Sequence, residues 1–592
     1  MSAPSHQKDS SIPRPLPPAR PLPRLFALTL GCAALALLVL QVGFVGEVTP
    51  VLHGATVLLS FLFALEQILT WLSRRHLQAW ARRETLLLAV ALTVFGVTVF
   101  LALAAWMGGK DARLSLLAHT AVQSVILGVL SLRGLRHQAR LTAITLRPGW
   151  LLIGSFLFLI VAGTVLLKLP RAVVPGEHLS WLNALFMSTS AVCVTGLTVE
   201  NPATYFTPTG QIILLALMQI GGLGIMTLTF FMAAIVFQGI SLHDHLLLGE
   251  MIAEKRLAHV GETLKFIVLF TAVCEAAGAV ALFLVLPAEA SVDARIYHAV
   301  YHSVSAFCNA GMSTLPNNLA EGVLRHDILL QLVICVLVAL GGIGSMTAFD
   351  TLRFMRSRVA CALNPTLPRP RLRVHTRIVL LTTAILIVGG AVAVYVSEFL
   401  LHDGQSNGGS GMTAFFHSIT ARSGGFNTVD MAKIGPVTIH VMVFLMFVGG
   451  SPGSTAGGVR TTVFAVAALH LWNQIRGIPQ IVVFRRRLPD GIGARALGVI
   501  VFSSIWLFVN FAVLRQLQPD VTDTALVFEL VSAFATVGLS LNLTPELTDA
   551  AKGLIILNMF VGRIGLLTLI TTFMPRARKP LHTHPQEDIL LA

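Results

Sequence analysis

Four glycines, Gly196, Gly311, Gly425 and Gly538, stand 115, 114 and 113 residues apart, and each closes a short run that begins with Ser or Thr followed by Ala. The runs read Ser-Ala-Val-Cys-Val-Thr-Gly-Leu at 190–197, Ser-Ala-Phe-Cys-Asn-Ala-Gly-Met at 305–312, Thr-Ala-Arg-Ser-Gly-Gly-Phe at 420–426 and Ser-Ala-Phe-Ala-Thr-Val-Gly-Leu at 532–539. With no Cβ, glycine accepts a positive φ and lets the neighbouring carbonyl turn toward an ion. Four copies meeting on one axis would line it with the backbone of Val194, Thr195 and Gly196, of Asn309, Ala310 and Gly311, of Ser423, Gly424 and Gly425, and of Thr536, Val537 and Gly538. A short helix before each glycine would aim its negative C-terminal end at that axis, which favours a cation. None of the runs carries Asp or Glu, so the carboxylate ring of a divalent-selective pore is missing and a dehydrated monovalent cation suits the site better. The plainer alternative, isolated helix breaks in a transporter of another kind, leaves the four matched copies unexplained.

A second unusual stretch follows the third copy. Gly450, Ser451, Pro452, Gly453, Ser454, Thr455, Ala456, Gly457 and Gly458 come directly after Gly449, with apolar helical sequence on both sides. So much glycine with a proline cannot sustain a helix. The run at 436–473 therefore breaks at membrane depth, where irregular backbone is tolerated only if it lines a cavity or is buried in protein. The pattern Gly453-xxxx-Gly458 imitates the start of a phosphate-binding loop, but Val459 and Arg460 occupy the places of its Lys and Ser or Thr.

Charges inside apolar runs are functional by default. Arg563 sits about 12 residues from either end of the run at 551–574, too deep for easy snorkelling. Arg422 and Glu529 fall in the short segments, where either a buried ion pair between neighbouring copies or separate contacts with backbone carbonyls would satisfy them. Glu275 is expected in the bundle interior. His298 and His302 have the i, i+4 spacing of helical zinc ligands, but no Glu follows His298 in an HExxH arrangement and His302 matches His417 in the repeat. No metal site is read there, nor in the connector group His243, Asp244, His245 and Glu250. The six cysteines form no CxxC pair and read as small buried hydrophobes.

The scaffold for these residues is dictated by composition. Of 592 residues 12% are charged and 55% hydrophobic, against roughly 25% charged in soluble domains, and the mean hydropathy is +0.78. That excludes a water-soluble enzyme. A polytopic membrane enzyme would need catalytic His, Asp, Glu or Ser gathered at one depth, and no such cluster recurs. The chain is expected to be an all-α polytopic membrane protein. Runs long enough to span a bilayer lie at 26–46, 51–72, 86–107 and 114–132, then at 149–169, 208–237, 263–286, 326–350, 376–399, 436–473, 494–515 and 551–574. Between each pair of the last eight lies one short, re-entrant segment. The expected organisation is a Pro-rich leader at 1–25, a four-span unit at 26–148, four repeats of helix, re-entrant loop and helix at 149–240, 241–352, 353–475 and 476–576 around one central pore, and a tail at 577–592. The net charge of +14 is gathered in alternate connectors, as the positive-inside rule requires of a plasma-membrane protein with both termini cytoplasmic; it does not indicate a nucleic-acid partner.

From about 149 to 575 the chain resembles the Trk/Ktr/HKT superfamily of potassium transporters, most of all its bacterial pore-forming subunits KtrB and TrkH. The resemblance is carried by the four glycines, by Thr420-Ala421-Arg422-Ser423-Gly424-Gly425-Phe426-Asn427-Thr428, and by Gly450-Ser451-Pro452-Gly453-Ser454-Thr455-Ala456-Gly457-Gly458-Val459-Arg460-Thr461. It implies potassium uptake through a filter with one glycine per repeat, and a gate made of the 450–458 loop and Arg563 protruding into the pore; filter support by Arg422 and Glu529 is expected from their place in the short segments. It further implies a homodimer, no covalently bound cofactor, and nucleotide only on separate cytoplasmic regulatory subunits of the KtrA/TrkA kind. A sodium-conducting or sodium-coupled variant of the same fold is the alternative. Ser423-Gly424 departs from the family's usual Thr-Ala, Arg460 stands where Lys is common, and the four N-terminal spans exceed the family pattern.

Overall fold

A computed structural model describes residues 50–74, 88–99, 148–224, 260–287, 291–364, 371–400, 411–478 and 480–573, with scattered positions at 29–45 and 122–125. The chain forms two compact units, Met1–Gln138 and Ala139–Ala592. In the first, helices α1 (Pro50–Arg74) and α2 (Leu88–Val99) overlap the apolar runs at 51–72 and 86–107, and residues 100–107 of the second run lie outside the described residues. Leu59, Phe63, Ala91 and Val94 share its core with Leu30 and Ala34. Hydrogen bonds tie its helices at depth, with Ser60 and Thr98 hydroxyls 2.8 Å apart and Gln123 donating to Gln41 at 2.8 Å and to Thr56 at 3.0 Å. Such pairs avoid stranded polar groups in hydrocarbon.

In the second unit the same order of elements occurs four times. Long α3 (Pro148–Leu167), short α4 (Trp181–Val192) and α5 (Pro208–Leu223) come first. They are followed by α6 (Val260–Val285), α7 (Val292–Phe307) and α8 (Ile328–Ile343), which continues at an angle as α9 (Ser345–Leu363). The third set is α10 (Val374–Leu400), α11 (Gly411–Thr420) and α12 (Pro436–Val448), with α13 (Thr461–Ile475) beyond the break. The fourth is α14 (Ile492–Leu517), α15 (Asp523–Phe534) and α16 (Asp549–Ile564), with a last piece, α17 (Leu566–Phe573). The third helix of each set packs on the short helix of the next, α5 on α7, α8 on α11, α12 on α15 and α16 on α4, so the sets close a ring. A hairpin of β1 (Val482–Val483) and β2 (Arg486–Arg487) joins α13 to α14.

Glycine permits the close packing inside each set. A Cβ on Gly341 or Gly562 would overlap the carbonyl of Phe307 or Phe534, at the C-terminal end of the short helix. Outward-facing side chains are apolar: Val268, Leu269, Val273 and Val280 on α6, and Phe502, Ile505, Phe508 and Val509 on α14, are all exposed. Water would penalise such a surface and lipid does not. Among the described residues three helices are long and apolar enough to cross a bilayer, Phe266–Val285, Val374–Glu398 and Ile492–Leu517.

The expected continuous span at 326–350 is corrected. It bends by 101° between Ile343 and Ser345, because Gly344 takes φ +89° and ends α8. The run at 551–574 breaks in the same way at Gly565, also at φ +89°. The break in 436–473 falls between Val448 and Thr461, around the glycine-rich stretch. Of the run at 208–237, the part beyond Gly224 lies outside the described residues, as do His243, Asp244, His245 and Glu250.

Candidate functional site

Short helices α4 and α7 are started by serines that accept a bond from the backbone: Ser180 from Asn183 N–H and Ser291 from Ala294 N–H. At their other ends the chain reverses in a recurrent way. Thr195, Ala310 and Val537 N–H groups reach back to the carbonyls of Ser190, Ser305 and Ser532 at 2.7, 2.8 and 2.9 Å. The third copy is one residue tighter, with Gly424 N–H donating to Thr420 O at 2.6 Å.

In every copy the glycine and the residue two before it have positive φ. The values are 54° and 93° for Val194 and Gly196, 61° and 67° for Asn309 and Gly311, 90° and 72° for Ser423 and Gly425, and 49° and 92° for Thr536 and Gly538. Left-handed conformations are costly for non-glycine residues, so four such residues at matched positions identify a constrained site.

The four strands of backbone meet. A Cβ on Gly311 would stand 2.5 Å from Gly425 Cα, one on Gly425 2.6 Å from Val537 O, and one on Gly538 3.0 Å from Gly196 Cα. Val194, Thr195, Asn309, Ala310, Ser423, Thr536 and Val537 are all buried. Above them opens a cavity of about 600 Å³ lined by all four glycines, with Glu398, His417, Asn427 and Asp430 on its wall. What converges is a ring of peptide groups with no ionised side chain in it, suited to a cation that has shed water.

Beneath the ring lies the 450–458 stretch. Ser451 N–H donates to Gly342 O at 3.0 Å and Thr455 N–H to Gly341 O at 3.4 Å, while Gly453 O accepts from Ser345 N–H at 3.2 Å. The Ser454 hydroxyl bonds Ser451 O at 2.6 Å. Thr455 also donates its hydroxyl to Phe307 O at 3.3 Å, reaching the end of α7. Gly450 N–H closes the loop on Gly457 O at 3.2 Å. Pro452, Gly453 and Gly458 are half-buried, whereas Ser451, Ser454, Thr455, Ala456 and Gly457 are buried.

Arg563 is 1% exposed. Its guanidinium donates to Thr455 O in the loop and, at 3.1 Å, to Gly221 O at the end of α5. It therefore ties the fourth set both to the loop and to the first set.

Arg422 and Glu529 do not pair. Arg422 donates from Nε and Nη2 to Gly449 O at 3.3 and 3.2 Å, and Glu529 accepts from the Thr544 hydroxyl. Arg422 lies where its own helix end meets the start of the loop, so the nearest acceptor is a carbonyl left free by the end of α12. Glu275 is half-buried and accepts from Gln219 at 3.0 Å. His298 bonds the Thr314 hydroxyl at 2.7 Å, and His302 spans His298 O and Ser313.

The serines Ser190 and Ser532 were visible in the sequence only as a repeated prefix. In the structure their hydroxyls accept from Gly196 N–H at 3.0 Å and Gly538 N–H at 3.1 Å, holding those glycines in place. Ser305 instead donates to Met312 O at 2.7 Å. Gly341, Gly342 and Ser345 form the seat of the loop. In the sequence, Gly-Gly pairs recur at 221–222, 341–342 and 449–450, which is the signal for the first two; nothing local marked Ser345.

The family model for cation transport proteins, TrkH, matches residues 152–579. The potassium/sodium uptake protein NtpJ of Enterococcus hirae is 31% identical, over 75% of this chain and 97% of its own length. The Ktr system potassium uptake protein B of Bacillus subtilis is 35% identical, over 72% of this chain and 92% of its own. Among solved structures, the potassium transporter TrkH from Vibrio parahaemolyticus superposes with a TM-score of 0.58 at 19% identity, covering 82% of this chain and 97% of that one.

Proposed function

This chain belongs to the TrkH family of cation transport proteins, and on that premise we propose that it takes up potassium across the plasma membrane through a pore at the centre of the four helix sets. The observation that carries this reading is the convergence of Gly196, Gly311, Gly425 and Gly538, each preceded at two residues by a second left-handed residue, over a buried loop. A hydrated cation enters the outer cavity, whose wall carries Arg325 and Lys433 as well as Glu398 and Asp430, so preference for positive charge falls to the filter. In the filter, carbonyls of the four runs replace its water. Short-helix C-terminal ends add negative potential, so the dehydrated ion is stabilised without a fixed carboxylate.

Below the filter the 450–458 loop is the gate, held closed by Arg563, whose positive charge also opposes a cation in the passage. Opening requires the bonds to Gly341, Gly342 and Ser345 to break together. In this reading a homodimer is controlled by separate cytoplasmic nucleotide-binding subunits docking on the basic connectors, and both termini are cytoplasmic. The family resemblance and the arginines of those connectors support it.

Potassium uptake in a host lacking its own systems, with sodium as competitor, tests the function. Uptake that saturates with potassium and resists excess sodium is the expected result; no uptake either from the chain or from its Gly453-to-Ala456 deletion, both well expressed, would overturn it. Similarity to the potassium/sodium uptake protein NtpJ favours one second reading, a filter that passes sodium as well, and the same competition separates the two.

A further inference from the structure

Ser423 is a filter residue hydrogen-bonded to the loop. Its hydroxyl oxygen lies 2.9 Å from Thr536 O and 3.3 Å from Gly457 N. A carbonyl can only accept and a peptide N–H can only donate, so the hydroxyl donates to Thr536 and accepts from Gly457. The directions are therefore settled by valence: Gly457 N–H to Ser423 O–H to Thr536 C=O, from loop to filter.

Among the described residues the other three equivalents make no such link. The Val194 side chain has no polar atom, the Thr536 hydroxyl has no partner, and the Asn309 amide is turned to Ala306 O and Val338 O within its own set. Ser423 also holds φ +90° as a non-glycine residue, a conformation glycine would adopt without strain. What serine adds there is its hydroxyl.

The loop fits tightly at this point. A Cβ on Gly457 would stand 2.7 Å from Ala535 O and overlap the Thr536 hydroxyl, so the loop backbone lies against the lowest turn of the fourth filter run.

We propose that this hydrogen-bond chain makes the ion preference of the filter depend on the position of the loop, with Ser423 as the positioning residue. The proposal rests on the reading of these runs as filter and of 450–458 as gate. With the loop seated, Gly457 orients and polarises the hydroxyl, and the hydroxyl engages one lone pair of the Thr536 carbonyl. When the loop leaves, Ser423 loses its donor and is free to turn, and the Thr536 carbonyl is no longer held. The lowest cation site then changes its coordinating field while the rest of the filter stays as it was.

The test is titration calorimetry of the purified full chain with potassium and with sodium. It compares the unaltered protein, Ser423→Ala, Ser423→Thr, a deletion of Gly453 to Ala456, and the deletion combined with Ser423→Ala. Loss of one net hydrogen bond corresponds to a change of about fivefold to tenfold in the ratio of the two affinities. Ser423→Ala is expected to change the ratio by that factor with the loop intact and to have no further effect once the loop is cut, whereas Ser423→Thr retains the original ratio. A change of equal size in both backgrounds would show that the hydroxyl serves the filter alone, and no change in either would remove its role; both overturn the coupling. If the deletion does not fold, Arg563→Ala loosens the loop without shortening it. Gly425→Ser separates the premises: if it leaves both affinities intact, the filter assignment itself fails, whatever Ser423 does.

Discussion

Replacing Arg563 by Ala removes a buried guanidinium that donates to Thr455 O and Gly221 O. A hydrogen bond to a charged group is worth about 1.5–3 kcal/mol net. Only the bond to Thr455 O is lost when the loop leaves, since Gly221 lies outside it, so about 1.5–3 kcal/mol favours the seated loop. Lost entirely, that would multiply the open population by about 10 to 150 while the open state remains the minority. Unregulated potassium flux into proteoliposomes should rise accordingly. Arg563→Lys keeps the charge but not the fork that reaches two carbonyls. It should fall between the unaltered protein and Ala if tethering dominates, and match the unaltered protein if the barrier is purely electrostatic. Deleting Gly453 to Ala456 should raise flux too, and the double change should be less than additive because both act on one barrier. Fully additive effects, or a lower flux from a normally expressed loop deletion, would refute the reasoning and make the loop a scaffold.

Gly311→Ser or Gly425→Ser places a Cβ 2.5 Å from Gly425 Cα or 2.6 Å from Val537 O, so potassium-over-sodium permeability should fall; unchanged ratios in both would remove the assigned filter. Ser190→Ala strands Gly196 N–H and should cost about 1 kcal/mol or more, read as a lower melting temperature in detergent that potassium restores less well. Gly562→Ala brings a Cβ within 2.7 Å of the Phe534 carbonyl carbon and should destabilise by about 1–3 kcal/mol, measured by thermal unfolding of the purified chain. A cysteine at position 5 or 588 should resist impermeant thiol reagents in intact cells, and labelling from outside would reverse the topology.

How far the sequence reaches is clear from individual residues. The glycines at 196, 311, 425 and 538 were legible because a conformational requirement recurs at nearly constant period, and the loop at 450–458 because its composition is incompatible with any helix. Those are local properties, carried by a residue's own backbone freedom. Gly344 was not legible as the break, because Gly341 and Gly342 just before it remain helical and nothing local separates the three; Ser345 N–H bonding to Gly453 O, over a hundred residues away, decides it. The partner of Arg422 was likewise open, since Glu529 and a backbone carbonyl offer comparable relief to a buried cation. Only the ring closure of α12 against α15 and the arrival of Gly449 beside Arg422 settle it. Sequence alone determined which segments could not be regular helix and could not face water. Tertiary structure decided which free carbonyl met which donor, because that depends on distances between segments far apart in the chain and not on the residues themselves.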